Sequence, residues 1–220
     1  LVGLSTEDPV VIDNASVKSA LQSSTVRFDK KGDAHYDIAS ALIKSIRGSD
    51  PNAAVYYLAR MLAGGEDPKF IARRLVISAA EDIGLANPTA LVMANETFAA
   101  VERIGMPEGR IPLSQCVIYL ATSPKSNAAY AAINNAMQFV NQTGDLPVPL
   151  HLRNAPNQLM KDQGFGKGYQ YDHDSSQGAS GQEFLPEGIA GTSFYTPGNN
   201  AKEANIRRAM QALWKEKDGF

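Results

Sequence analysis

The string nearest to a phosphate-binding loop is Gly164-Phe165-Gly166-Lys167-Gly168-Tyr169. A phosphate loop cradles its ligand on backbone amides and needs a lysine followed by a magnesium-holding hydroxyl, at the turn from a strand into a helix. Here the spacing is wrong, the hydroxyl is missing and no strand is predicted ahead of it, so the string is assigned no nucleotide. His35, His151 and His173 lie too far apart for local zinc-ligand spacing, and Cys116 has no second cysteine to join it. Asp172-His173-Asp174 has the composition of a metal site or a proton shuttle, and equally of a loop histidine fixed by its neighbours, which is the reading preferred. His35, near a helix start, reads as a packing or capping residue.

Arg73-Arg74 and Glu81-Asp82 fall on one predicted helix, with Arg74 and Glu81 two turns apart along one face. Paired carboxylates can share acid and base work, but adjacent Glu81 and Asp82 diverge around a helix and do not face each other. The preferred reading makes Arg74, Glu81 and Asp82 members of structural ion pairs that bridge to neighbouring helices. Lys44, Arg47, Arg73 and Arg74 are the candidate contacts for DNA or for a protein partner. Acidic residues interrupt them, and no aromatic interleaving supports stacking of unpaired bases. No residue is assigned a catalytic, cofactor-binding or metal-binding role.

The elements that must position these residues are helices. From Asp33 the apolar positions Tyr36, Ile38, Ala39, Leu42, Ile43 and Ile46 recur at helical spacing, and Gly48 marks the end. Asp50-Pro51, Asp67-Pro68 and Asn87-Pro88 then repeat one start signal, a capping side chain followed by a proline that needs no N–H in the first turn. The predicted helices reach Gly64-Gly65, about Ile83-Gly84, and Gly105. A loop follows from Gly105 to Pro112, then helices over 114–121 and 126–140, the second rich in alanine. Short connections imply antiparallel neighbours in a stacked helical array. From Thr143 glycine and proline punctuate the chain too often for long helices, yet Phe165, Tyr169, Tyr171, Phe184, Phe194 and Tyr195 recur, which reads as an extended strap packing aromatics onto the helical body. A terminal helix carries Ile206, Ala209, Met210, Leu213 and Trp214 on one face.

A formal charge of −2, from 21 basic and 23 acidic residues, gives no whole-molecule field to hold a polyanion, so any nucleic-acid contact is local. The single cysteine excludes an internal disulfide and points to a reducing compartment. Its apolar setting favours a buried thiol over a nucleophile. No apolar run approaches the roughly 20 residues that span a bilayer. The expected location is cytoplasmic and the expected class is all-α. The chain opens on Leu1 rather than methionine, and the expectation is a piece of a longer protein.

The strings Arg27-Phe28-Asp29-Lys30-Lys31-Gly32-Asp33-Ala34-His35-Tyr36, Lys44-Ser45-Ile46-Arg47-Gly48-Ser49-Asp50-Pro51, Gly65-Glu66-Asp67-Pro68 and Glu81-Asp82-Ile83-Gly84-Leu85 resemble the replication-associated recombination protein A family (RarA, also MgsA), relatives of the Werner helicase-interacting protein. Pro124-Lys125-Ser126-Asn127 and Pro147-Val148-Pro149-Leu150-His151-Leu152-Arg153 extend the likeness toward the C-terminus. The resemblance implies residues 1–25 as the end of a AAA+ lid, 26–142 as a helical domain similar to a clamp-loader collar, and 143–220 as the strap and terminal helix. It implies a homotetramerisation domain of a DNA-dependent AAA+ ATPase acting in replication, recombination and repair at stalled forks. ATP and magnesium belong to a module upstream of Leu1, so no cofactor and no enzymatic activity are expected in this segment. Implied partners are the chain itself, DNA and single-stranded DNA-binding protein, with a nucleoid-associated location and no membrane contact. The alternative reading is a DNA- or protein-binding module that uses the basic helix surface.

Overall fold

The computed structural model describes Asn14 and residues 33–175 and 178–214. The short helix that Val17, Ala20 and Leu21 predict between Asp13 and Ser24 lies outside these residues apart from Asn14. Among the described residues the regular structure is helical, with α1 (Asp33–Arg47), α2 (Pro51–Ala63), α3 (Pro68–Ser78), α4 (Thr89–Ile104), α5 (Arg110–Thr122), α6 (Ala128–Thr143), α7 (Gln158–Asp162) and α8 (Ala201–Trp214). The all-α expectation is met. The chain divides into two compact units, one holding residues 1–79 and 89–123, the other 80–88 and 124–220.

In the first unit the start signals act as expected. Asp50 Oδ1 accepts from the Ala53 amide at 2.9 Å, and Asp67 Oδ1 accepts from the Lys69 amide at 2.9 Å. Proline follows each cap, in a turn where its missing N–H has no intrahelical partner to lose. Helix ends follow a paired pattern. Ser49, one residue beyond the Gly48 that the sequence marks as the cap, takes the left-handed conformation at φ 60. Its amide bonds Ile46 O at 3.1 Å while Asp50 N bonds Ser45 O at 2.9 Å. Gly65, at φ 76, ends α2 the same way, through Leu62 O and Met61 O.

α5 begins earlier than the sequence suggests. Pro112 reads as loop, but it sits in the first turn of α5, which runs from Arg110, and costs no helical hydrogen bond there. α5 is apolar around most of its circumference, the pattern of a helix surrounded by others. It packs against α1, α2, α3 and α4. Leu113, Cys116, Val117 and Leu120 are fully buried, with Leu42, Ile46, Met61, Ile71 and Leu75. Each large aliphatic side chain removed from water contributes about 1.5–3 kcal/mol.

Beyond α3 the helix changes character. Residues Ala79–Ile83 form a π turn and Gly84–Ala86 a 3₁₀ turn, where a continuing α-helix was the simplest expectation. In the second unit the Asp82 carbonyl accepts from the Ser126 amide at 2.8 Å. Gly84 is required there on two grounds: its φ is +47, and a Cβ would lie 2.9 Å from Ser126 O. α6 and α8 each pack against the Gly84–Ala86 turn. Between them, residues 144–200 carry only α7 and three 3₁₀ turns, among the described residues, as the glycine and proline density predicts.

Candidate interaction surfaces

Four of the charged residues singled out from the sequence are on α1 and α3 of the first unit. The fold brings three of them together. A cleft of about 400 Å³ is lined by Tyr36, Ala39, Ser40, Ile43, Lys44 and Arg47 of α1 and by Phe70 and Arg74 of α3. Ala39 and Ile43 are its buried floor, and Tyr36, Ser40, Lys44 and Arg47 are exposed along its rim. Tyr36, Ser40 and Lys44 follow at four-residue steps, so they share one helix face. Arg73 is not part of this group. Its guanidinium lies 3.6 Å from Asp67, with both side chains more than half exposed.

Tyr36 and Phe70 are the residues that sequence reasoning missed. They are 34 positions apart in the chain, and their nearness to the basic group is a product of α1 packing against α3. The fold therefore sets two rings beside basic residues that stand apart from one of them in the sequence. Lys44 and Arg47 also stand in the last turn of α1, where positive charge favours the helix dipole. That accounts for their charge but not for the two rings beside them.

The π turn breaks the α register between Arg74 and Glu81, so seven residues no longer place the two on one face. Asp82 is buried and Glu81 half-buried, and both have polar partners. Burial holds the Lys125 ammonium below its usual range, opposed by the nearby charge of Asp82. Cys116 is fully buried, which pushes its thiol up to about 11 against a hydrogen bond with Thr97, so it stays protonated.

Among the described residues, two apolar surfaces have no covering element in their own unit. Between α2 and α5 runs a groove of about 650 Å³, lined by Val55, Leu58, Ala59, Leu62, Arg110, Ile111, Ser114, Gln115 and Ile118. It is the side of the central helix that no described neighbour fills, and Ile111 and Ile118 are exposed in it. In the second unit, α6 has 16 residues, none charged and none fully buried. Ala128, Ala131, Ala132, Ala136 and Phe139 are half-buried on its inner side. Tyr130, Ile133, Met137 and Val140 form a second, outward stripe at steps of three and four residues, with Ile133 55% and Met137 59% exposed. Such spacing is that of a helix seam.

The remaining sequence candidates have structural roles. Gly164, Gly166 and Gly168 all have positive φ, and Gly166 N donates to Leu150 O at 2.9 Å. Gly164 closes α7, with the Phe165 amide on Met160 O at 3.0 Å. His151 Nε2 is 2.8 Å from Glu183 O. His173 lies in a 3₁₀ turn against the Tyr171 ring, 5.1 Å between centroids. Asp172 Oδ1 accepts from Ser180 Oγ at 2.7 Å and from Ser180 N at 2.8 Å, bonds that hold its carboxyl below the ordinary range.

Glu203 was not a sequence candidate, yet it is 0% exposed. Burial pushes its carboxyl up, but hydrogen bonds from Ser126, the Gly198 amide, Asn200 and Tyr195 outweigh it and leave it below the usual range. Tyr195 Oη stands 3.4 Å from Glu203 Oε1, and burial with the nearby carboxylate raises its own pKa. The available signal was Asn200-x-x-Glu203, a helix cap followed three residues later by a glutamate; Asn200 Oδ1 accepts the Glu203 amide at 3.0 Å. No helix among the described residues is long and apolar enough to cross a membrane.

The described residues form an all-α array with a cleft lined by rings and cations and two apolar faces left exposed. The family follows from comparison: residues 48–214 match the MgsA AAA+ ATPase C-terminal family and residues 2–47 the AAA C-terminal domain. The chain belongs to the MgsA AAA+ ATPase C-terminal family. It is 48% identical over 202 residues to the replication-associated recombination protein A of Coxiella burnetii, covering 91% of this chain and 46% of that protein. Against the protein of the same name in Escherichia coli K12 the identity is 44% over 190 residues, 86% of this chain and 42% of the relative. The ATPase WRNIP1 of Dictyostelium discoideum is 43% identical over 189 residues, 84% of this chain and 21% of that protein. The chain thus spans about half the length, or less, of these curated relatives.

Proposed function

We propose that this chain is the assembly region of a AAA+ ATPase acting in replication-associated recombination, and that it joins copies into a homotetramer. ATP and magnesium are handled by an ATPase module elsewhere on the full-length protein, while this region fixes how neighbouring modules face each other. DNA and single-stranded DNA-binding protein are partners of that whole assembly. The observation that carries the reading is α6: an uncharged helix with an inner face and a second apolar stripe turned outward. Four large apolar side chains at seam spacing are costly to leave in water and are covered at little cost by a helix of another copy. The α2/α5 groove offers a second surface of the same kind. Tethering in this way raises the effective concentration of each module for its neighbour.

Light scattering coupled to size exclusion tests the reading. The 220-residue chain elutes as an oligomer at micromolar concentration, and Ile133→Glu with Met137→Glu dissociates it while the helical circular dichroism is unchanged, because both positions are exposed. A strict monomer in the parent chain sinks it.

A further inference from the structure

We propose that α6 of one copy lies in the α2/α5 groove of the next, antiparallel to α5, so that each copy gives one helix and receives one. The inference rests on the assembly reading and names the two faces that meet.

The groove has the geometry of a seat for a third helix. Val55, Leu58, Ala59 and Leu62 stand on α2 at i, i+3, i+4 and i+7. On α5, Ile111, Ser114, Gln115 and Ile118 repeat that spacing, so each wall presents one helix face along its length. A helix packs between two such faces with large apolar side chains at alternating steps of three and four, and Tyr130, Ile133, Met137 and Val140 of α6 are placed in that way. The lengths agree: Ile111 to Ile118 and Ile133 to Val140 are each seven residues, about 10.5 Å of helix. Pairing α6 with another α6 would leave Ile111 and Ile118 in water, whereas seating it in the groove covers both apolar faces at once.

Charge sets the direction. Arg110 is the one charged residue that lines the groove, and it opens α5, where a cation opposes the dipole of its own helix. α6 has no charged side chain, and its negative end is the last-turn carbonyls with the exposed Asp145 just beyond them. Antiparallel seating with Val140 beside Ile111 brings that end to Arg110 and sets Ile133 beside Ile118. The reverse orientation brings the positive end of α6 to Arg110. Because helix and groove are different surfaces, the contact is heterologous and repeats from copy to copy until a ring closes, at four copies for the homotetramer.

Introduced cysteines and a short bismaleimide test the pairing, since Cys116 is buried and does not compete. Ile118→Cys and Ile133→Cys, both at exposed positions, cross-link when the two chains are co-expressed and not when either is expressed alone. A chain carrying both changes gives a ladder that ends at four copies. Arg110→Glu raises the concentration at which the oligomer dissociates about tenfold, and Asp145→Arg in the same chain restores it. Cross-linking of Ile133→Cys to itself would mean that α6 pairs with α6, which overturns the proposal and leaves the assembly reading standing. An oligomer whose co-expressed cysteines stay unlinked does the same, as does a doubly substituted chain linked only within itself. Failure of Asp145→Arg to restore Arg110→Glu overturns the antiparallel seating. A parent chain that is monomeric in light scattering removes the assembly reading, and the proposal with it.

Discussion

The two units are held together by different forces. In the first, every helix contributes aliphatic side chains to a common interior, from Leu42 and Ile46 of α1 to Leu113 and Leu120 of α5. In the second, α6 buries nothing fully and the one fully buried side chain of α8 is a glutamate. Besides Ile83 and Ala86, buried in its connecting turns, it has side chains that bond backbone groups or one another: Asp172 with Ser180, Gln182 with Gln170, His151 with Glu183, and the cluster around Glu203. Ring contacts add to them, with Phe194 edge-on to Phe139 at 5.4 Å and Phe184 edge-on to Trp214 at 6.1 Å. Non-directional burial tolerates conservative change and resists pH. Directional polar bonds do neither where they are buried, as around Glu203, since a lost partner there leaves the other group unsatisfied.

The sharpest way to break this contrast is to remove a core side chain. Leu120→Ala leaves a cavity at the centre of the first unit, where four helices meet α5, and costs about 2–5 kcal/mol. Urea unfolding followed by far-ultraviolet circular dichroism measures it. The loss is the same at pH 5 and pH 7, because no titrating group is removed. A loss below about 1 kcal/mol would mean that the surrounding helices collapse into the gap and that the interior is less closely packed than its burial indicates.

Glu203→Gln is the matching experiment in the second unit, with a smaller expected cost of about 1–3 kcal/mol from mismatched hydrogen bonds around a buried group. Here pH decides. The folded carboxyl lies below its ordinary range, so its contribution is fully present above the unfolded carboxylate pKa and is lost as pH falls through that range toward the folded value. Trp214, the only tryptophan, sits at the end of α8 against Phe184 and reports on this region. The parent's Trp214 fluorescence transition moves to lower urea on acidification below about pH 5, and that of Glu203→Gln moves much less. Equal acid shifts in both chains would place the origin of the pH dependence elsewhere.

What could be read from the sequence divides along the same line. α2 and α3 were legible because their starts are local chemistry: Asp50-Pro51 and Asp67-Pro68 act within three residues of themselves. The helix-poor stretch after Thr143 was legible because glycine and proline act locally too. The start of α5 was not, since Pro112 is a breaker in a helix interior and harmless in a first turn, and only the helix origin distinguishes the two. The π turn at Ala79–Ile83 has no composition of its own. The cleft was half legible. Lys44, Arg47 and Arg74 stand out by type, but their union with Tyr36 and Phe70, and the exclusion of Arg73, depend on how α3 packs against α1. Glu203 was hidden because a charged residue on an amphipathic helix is by default a solvated one.

The smallest effect concerns polar bonds at the surface of the apolar unit, and it asks whether directional bonding is weak there because of exposure or strong as in the second unit. Lys69 Nζ meets Glu102 Oε1 at 2.8 Å, joining α3 to α4, with side chains 44% and 53% exposed. The hydrogen bond and the charge of Lys69 hold the Glu102 carboxyl below its usual range, but water screens the pair. A double-mutant cycle with Lys69→Ala and Glu102→Ala gives a coupling of about 0.2–1 kcal/mol, falling toward zero as salt is raised to about 1 M. The geometry is as good as that of the Asp172–Ser180 bonds, so a weak, salt-sensitive result assigns the difference between the units to solvent access rather than to bond length. A coupling several times larger that survives high salt would mean the first unit also relies on directional bonds, and the contrast between the two would lose its physical basis.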